Sequence, residues 1–199
     1  MGHAKFFAAS FAQASFVIID SPMRTKLGLF LTLGLLTVCV TSRADPLAVG
    51  AKAPAVTGIT ETGAKLDFST VYPKGYTLVY FYPQADSHDC TVEGCSLSDA
   101  FKDLTSKGVT VIGVSVDDKA TQKAFKEKNK FPFTLIADID HTVINAFGVP
   151  LSEQWGTGPR AMRQSFLINK GGKIVWRDLN ASPKNQPADV LKALQQLGG

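Results

Sequence analysis

The chain has 199 residues, of which 45% are hydrophobic and 19% charged. That is long enough to bury a full core without disulfides or a metal, and the composition is that of a soluble globular protein. The net charge of +4 is concentrated at one end, where residues 1–44 carry Lys5, Arg24, Lys26 and Arg43 against Asp20 alone. The remainder is nearly neutral, which excludes a basic face for nucleic acid or for an anionic membrane.

The N-terminus reads as a targeting segment. Met23-Arg24-Thr25-Lys26 gives a basic start, "LGLFLTLGLLTVCV" (27–40) an apolar stretch, and "TSRADP" a polar end with small residues at Ser42 and Ala44. This is the pattern of a secretory signal peptide, with cleavage expected between Ala44 and Asp45. The apolar run is shorter than the roughly 20 residues of a spanning helix, although an uncleaved anchor is the competing reading. Residues 1–44 are therefore assigned to an extension and signal, with Met23 a second candidate start, and residues 45–199 to one domain. Cys39 leaves with the signal. The expected location is outside the cytoplasm, a bacterial periplasm first, with a membrane anchor or an organelle lumen as alternatives.

Residues 45–64, rich in Pro, Gly and Thr, predict an extended lead-in. "YTLVYFY" (76–82) predicts a buried strand from its β-branched and aromatic content. A helix is expected from about Cys90 or Thr91 to Lys107, stopped by Gly108. "VTVIGVSV" (109–116) is an apolar strand suited to a parallel sheet covered on both faces. "DDKATQKAFKEKNK" (117–130) is an amphipathic helix begun by aspartates. A third strand is expected at 133–138 and a short helix at 142–147. "QSFLIN" (164–169) and "KIVWRD" (173–178) form a hairpin turning on Gly171 and Gly172, and a last helix covers about 188–197. Strands alternating with helices, then a hairpin and helix, define an α/β fold of thioredoxin-like order with a mixed central sheet and helices on both faces.

Two of the three cysteines fall where the first long strand hands over to a helix, in "FYPQADSHDCTVEGCSLSDAF" (81–101). At a helix N-terminus, unpaired N–H groups and the positive end of the dipole stabilise a thiolate, so Cys90 is placed for chemistry. On one regular helix, Cys90 and Cys95 are separated by a rise of about 7.5 Å and a rotation of about 140°. Their Cα atoms are then about 8–9 Å apart, beyond the roughly 7 Å reach of a disulfide. A permanent bridge conflicts with an intact helix, whereas a transient bridge formed by unwinding does not.

Pro83, Ser87 and Cys90, with the five-residue step of "CTVEGC", resemble the peroxiredoxins, specifically the bacterioferritin-comigratory-protein or peroxiredoxin Q group. "VTVIGVSVDD", "FPFTLIADID", "FGV" and "RQSFLINKGGKIVWRD" extend the resemblance over roughly residues 46–197. It implies a thiol peroxidase in which Cys90 attacks a peroxide and Cys95 resolves the resulting sulfenic acid as a disulfide. Pro83 would shield the sulfur, Ser87 would hydrogen-bond at the site, and Arg163 would stabilise thiolate and transition state, with Arg160 as its rival. The implied partners are hydrogen peroxide or an alkyl hydroperoxide and a thioredoxin-like dithiol reductant. No metal or organic cofactor is implied, and a monomer without stable membrane association after cleavage is expected.

The chain departs from the group in carrying His88 and Asp89 where Pro and Gly usually precede the cysteine; both are read as solvent-facing substitutions. Glu93 is read as support for the helix start. The set Cys90, Cys95, His88 and His141 lacks the spacing of a zinc site. Trp155 and Trp176 are read as packing residues. A thiol-based redox sensor or relay is the alternative function, and a structural disulfide the alternative use of the cysteine pair.

Overall fold

The computed structural model describes residues 45–154 and 158–198. The signal segment, Cys39 and Trp155 lie outside the described residues. In chain order the elements are β1 (Thr57–Ile59), β2 (Lys65–Asp67), β3 (Tyr76–Phe81), α1 (His88–Asp99), α2 (Phe101–Ser106), β4 (Val109–Ser115), α3 (Lys119–Asn129), β5 (Thr134–Ala137), α4 (Thr142–Ala146), β6 (Leu151–Ser152), β7 (Arg160–Ala161), β8 (Gln164–Ile168), β9 (Ile174–Asp178) and α5 (Gln186–Gln196).

The central sheet has the order β5-β4-β3-β8-β9. β3, β4 and β5 run parallel, while β8 is antiparallel to β3 and to β9. Every residue of β8 is buried, as are Thr77–Phe81 of β3, which is why these stretches read as nearly continuous apolar runs. Alternation along β3 then divides the core. Val79 and Phe81 face a cluster with Phe147, Phe166 and Ile144. Leu78, Tyr80 and Tyr82 face the other cluster, which takes Cys90 and Leu97 from α1, Leu104 from α2, Phe125 from α3, and Val190 and Leu194 from α5. The helix carrying both cysteines is thus packed on the Tyr80–Tyr82 side of the sheet.

Three expectations need correction. The lead-in is not wholly extended, because β1 and β2 pair as a hairpin within it and beyond it. The short strands β6 and β7 also pair; two residues each give too little alternation to be seen in sequence. The long helix begins at His88, earlier than expected, and breaks at Ala100, whose φ of −87° and ψ of 5° separate α1 from α2. Cys90 therefore occupies the third residue of α1, still within its first turn.

Gly94 lies in the middle of α1, where glycine disfavours helix by about 1 kcal/mol relative to alanine. Packing explains it. A Cβ on Gly94 would overlap Cζ of Phe131 and approach Cε2 at 2.9 Å. The Phe131 ring is stacked on Phe133 at 5.3 Å and meets Phe125 edge-on at 5.0 Å, so it has no room to swing aside. We expect Gly94→Ala to lower stability by about 1–2 kcal/mol despite its better helix propensity. A urea titration reads this directly, and a raised midpoint would contradict the packing explanation.

Candidate active site

The strand β3 ends because Pro83 has no N–H to continue the ladder, and Tyr82 N–H makes the last parallel bond, to Val114 O at 3.1 Å. The chain then turns through Asp86, which takes a positive φ of 60°, to Ser87, the extended residue that begins α1. The first backbone bond of the helix is Thr91 N–H to Ser87 O, 2.9 Å. The amides of His88, Asp89 and Cys90 precede that ladder, as helix geometry requires.

The antiparallel register of β3 and β8 sets Phe81 opposite Gln164. The residue just before β8, Arg163, is thereby brought beside the end of β3, where α1 starts. Its Nη2 donates to Cys90 Sγ at 3.2 Å. Its Nη1 donates to Glu93 Oε2 in a very short contact. One guanidinium thus holds two groups on successive turns of α1. Arg160 instead places its Nη1 3.0 Å from Asp117 Oδ1, so Arg163 is the arginine at the sulfur.

Cys90 is only 2% exposed, and a cavity of about 390 Å³ reaches it. Pro83, Ser87, Met162, Arg163 and Asn180 line that cavity together with Cys90. His88 and Asp89 also border it and are both exposed, in keeping with a solvent-facing substitution. The Ser87 hydroxyl donates to the carbonyl of Gln84 at 3.0 Å, so its proton is committed to the loop while its oxygen can still accept. Four of the five expected site residues, Pro83, Ser87, Cys90 and Arg163, therefore converge on one cavity.

The fifth, Cys95, stands apart. Both cysteines are free thiols on one unbroken helix, the arrangement whose geometry forbids a bond without unwinding. Burial, reinforced by Asp99, pushes the Cys95 thiol up from its ordinary value and keeps it protonated at rest.

Two further residues complete the site. Glu93 is fully buried, and burial pushes its carboxyl up to about 8 against the opposing pull of Arg163. Burial alone would lower Arg163, but Glu93 and Cys90 together raise it, so the guanidinium stays charged. In sequence Glu93 signals only support for the helix start; its inward face and its pairing with a residue 70 positions away carry no local signal. In sequence, Asp117 is only a helix-start residue. Its carboxylate accepts from Ala85 N–H (2.7 Å), Ser115 Oγ (2.7 Å) and Arg160, so it fixes the loop ahead of Cys90. The available hint was its position just past the end of a parallel strand, where α/β sites gather.

A thioredoxin-like sheet carrying a buried cysteine on the first turn of a helix, against a charged arginine, defines a class of thiol-reactive α/β proteins. Residues 49–177 match the AhpC/TSA family, and the chain belongs to that family. It is 37% identical over 134 residues to a protein named peroxiredoxin bcp from Coxiella burnetii, covering 65% of this chain and 88% of that one. It is also 37% identical over 121 residues to the chloroplastic peroxiredoxin Q of Oryza sativa subsp. japonica, covering 60% of this chain. The chain spans about half the length of that rice relative, 54%. Among solved structures, the peroxidoxin BcpB of Mycobacterium tuberculosis superposes with a TM-score of 0.71 at 24% identity, over 76% of this chain and 98% of that one. The bacterioferritin comigratory protein of Xanthomonas campestris gives 0.68 at 22%, over 76% of this chain and 100% of that one. These last two share the fold.

Charge-assisted hydrogen bonds to an ionised group are worth about 1.5–3 kcal/mol. Arg163→Met should therefore slow alkylation of Cys90 by iodoacetamide at pH 7 by about ten- to a hundredfold, while Arg160→Met should act mainly through loop order. Alkylation rates with mass-spectrometric assignment of the modified thiol decide it. Equal loss in the two variants would show that the 3.2 Å contact is not the source of reactivity.

Proposed function

We propose that the protein is a thiol peroxidase that reduces hydrogen peroxide and organic hydroperoxides, with Cys90 as nucleophile and Cys95 as resolving thiol. The contact of Arg163 Nη2 with Cys90 Sγ inside the cavity is the observation that carries this reading. Peroxiredoxin relatives at 37% identity support it.

In the first step the Cys90 thiolate attacks one peroxide oxygen. An S–O bond forms, the O–O bond breaks, and the departing oxygen leaves as water or alcohol after taking a proton. Negative charge spreads from sulfur onto two oxygens, and a fixed guanidinium in a water-poor cavity stabilises that charge as it develops on the oxygens. Ser87 Oγ can accept the O–H of the bound peroxide without releasing Gln84, and Pro83 limits water at the sulfur. The product is a sulfenic acid at Cys90.

In the second step the first turns of α1 unwind and Cys95 attacks the oxidised sulfur. An S–S bond forms and the S–O bond breaks, releasing water. A thioredoxin-like dithiol protein then returns both thiols by exchange, itself becoming the disulfide. No metal or organic cofactor enters this chemistry.

The same reading includes export directed by residues 23–44, with the periplasm as the working compartment, and action as a monomer without stable membrane association. Among the described residues the large exposed apolar side chains are Val49, Ile139, Leu179 and Leu197, each from a different segment, which supports the monomer.

Stopped-flow mixing of the reduced full chain with limiting hydrogen peroxide should show rapid loss of one peroxide per chain, abolished in Cys90→Ser. Cys95→Ser should keep the first oxidation and trap a sulfenic acid that dimedone labels. Slow, Cys90-independent consumption would reject the peroxidase reading, and a disulfide formed normally in Cys95→Ser would remove Cys95 from the cycle.

A further inference from the structure

The cavity is assembled from two segments, the loop from Pro83 to Cys90 and the stretch ending at Arg163, and one carboxylate binds both. Asp117 Oδ2 accepts from Ala85 N–H at 2.7 Å, five residues before the reactive sulfur. Asp117 Oδ1 accepts from Arg160 Nη1 at 3.0 Å, three residues before the guanidinium that meets that sulfur. We propose that Asp117 is a positioning residue for the Cys90–Arg163 contact: by clamping both segments to the end of β4 it sets the spacing of sulfur and guanidinium, and with it the reactivity of Cys90. The inference deepens the peroxidase reading and rests on it for the reaction that this contact serves.

The clamp is enclosed. The side chain of Asp117 is 9% exposed and that of Arg160 14%, so solvent and salt screen the pair little, and removing one partner leaves the other's charge without compensation. Asp117 is not among the residues lining the cavity. It therefore acts through the backbone it holds and not on a bound peroxide.

The carboxylate is itself fixed from behind. Ser115 Oγ donates to Asp117 Oδ2 at 2.7 Å and accepts from Gln122 Nε2 at 2.7 Å, and both Ser115 and Gln122 are fully buried. Gln122, on α3, also donates to Ile136 O of β5 at 3.0 Å and accepts from the Tyr82 hydroxyl just past β3. Donors and acceptors thus follow one another without a gap from Tyr82 through Gln122, Ser115 and Asp117 to Ala85. A buried network satisfied in this way is rigid and specifies one arrangement. It roots the loop ahead of Cys90 in α3 and in the ends of β3, β4 and β5.

The arginine segment is held at both of its ends. Arg160 is tied to Asp117, Met162 N–H donates to Pro150 O at 2.9 Å, and Gln164 enters β8 opposite Phe81. Releasing Arg160 frees one end of the stretch that aims Arg163, and releasing Ala85 frees the loop that aims Cys90. A misplacement of about 1 Å, caused by a change away from the reacting atoms, can cost on the order of a hundredfold in rate.

Iodoacetate and iodoacetamide both alkylate a thiolate by displacing iodide, but only iodoacetate carries a negative charge. The ratio of their rates at Cys90 therefore reports the cation beside the sulfur. Asp117→Asn replaces one acceptor oxygen by an amide nitrogen, so it cannot serve Ala85 and Arg160 as the carboxylate does. In the reduced full chain, with the alkylated residue assigned by mass spectrometry, it should lower the iodoacetate-to-iodoacetamide ratio at Cys90 by about twofold or more. In the Arg163→Met background it should not lower the ratio. Loss of a negative charge by itself has the opposite sign, because it favours the anionic reagent, and a loop that merely loosens moves both reagents together. Ser115→Ala keeps every charge and should lower the ratio in the same Arg163-dependent way, which decides the matter if Asp117→Asn does not fold. A ratio that rises or stays unchanged, or that falls as far in the Arg163→Met background, overturns the positioning role. If the ratios behave as expected while the wild-type chain fails to consume peroxide, the peroxidase reading is rejected and the positioning role stands.

Discussion

A single guanidinium organises this protein's chemistry. Arg163 is half enclosed by the sheet and by α1, it donates to the sulfur of Cys90 and to the carboxyl of Glu93, and those two groups together keep it charged in a place where burial works against charge. Charged groups removed from water are stable only when paired and hydrogen-bonded. The arginine, the cysteine and the glutamate therefore form one electrostatic unit, in which a change in any member alters what the other two experience. The antiparallel register that places Gln164 opposite Phe81 is what assembles it from two parts of the chain that are far apart in sequence.

The sheet supplies the rigidity this unit needs. β3 and β8 are neighbours at the centre of the five-stranded sheet, covered on both faces, so the end of β3 and the start of β8 have little freedom to drift. The helix on the other side of the sulfur is different in character. Its packing relies on Leu97, on the close contact between Gly94 and the Phe131 ring, and on the hydrogen bond from Ser96 to Pro183 just ahead of α5. Fixed strands on one side and a helix tied by fewer contacts on the other suit the proposed cycle, in which the helix unwinds while the strands stay still.

Much of this was legible in the sequence because it rests on local signals. The strand Tyr76–Phe81 and the hairpin Gln164–Asp178 announce themselves through apolar runs and the Gly171-Gly172 turn, and Cys90 through its place at a strand-to-helix junction. Pro83, Ser87 and Arg163 came from resemblance of motif, and the structure brings them to the cavity around that cysteine. What the sequence concealed was pairwise and long-range. Nothing near Glu93 says that it points inward to an arginine 70 residues away, and Asp117 looks like an ordinary helix-start aspartate until Ala85 and Arg160 are found bound to it. The strands β1, β2, β6 and β7 were missed for another reason: two or three residues are too few to display a period of two.

The bond from Ala85 to Asp117 has a mechanical consequence. It anchors the chain five residues upstream of the sulfur to a carboxylate that is itself held by Ser115 and Arg160. Motion in α1 is therefore hinged on one side. Cys90 is moored to the scaffold, so in the proposed cycle the traveller is Cys95, swinging in with the downstream turn of the helix and carried back out when the bond between them is undone.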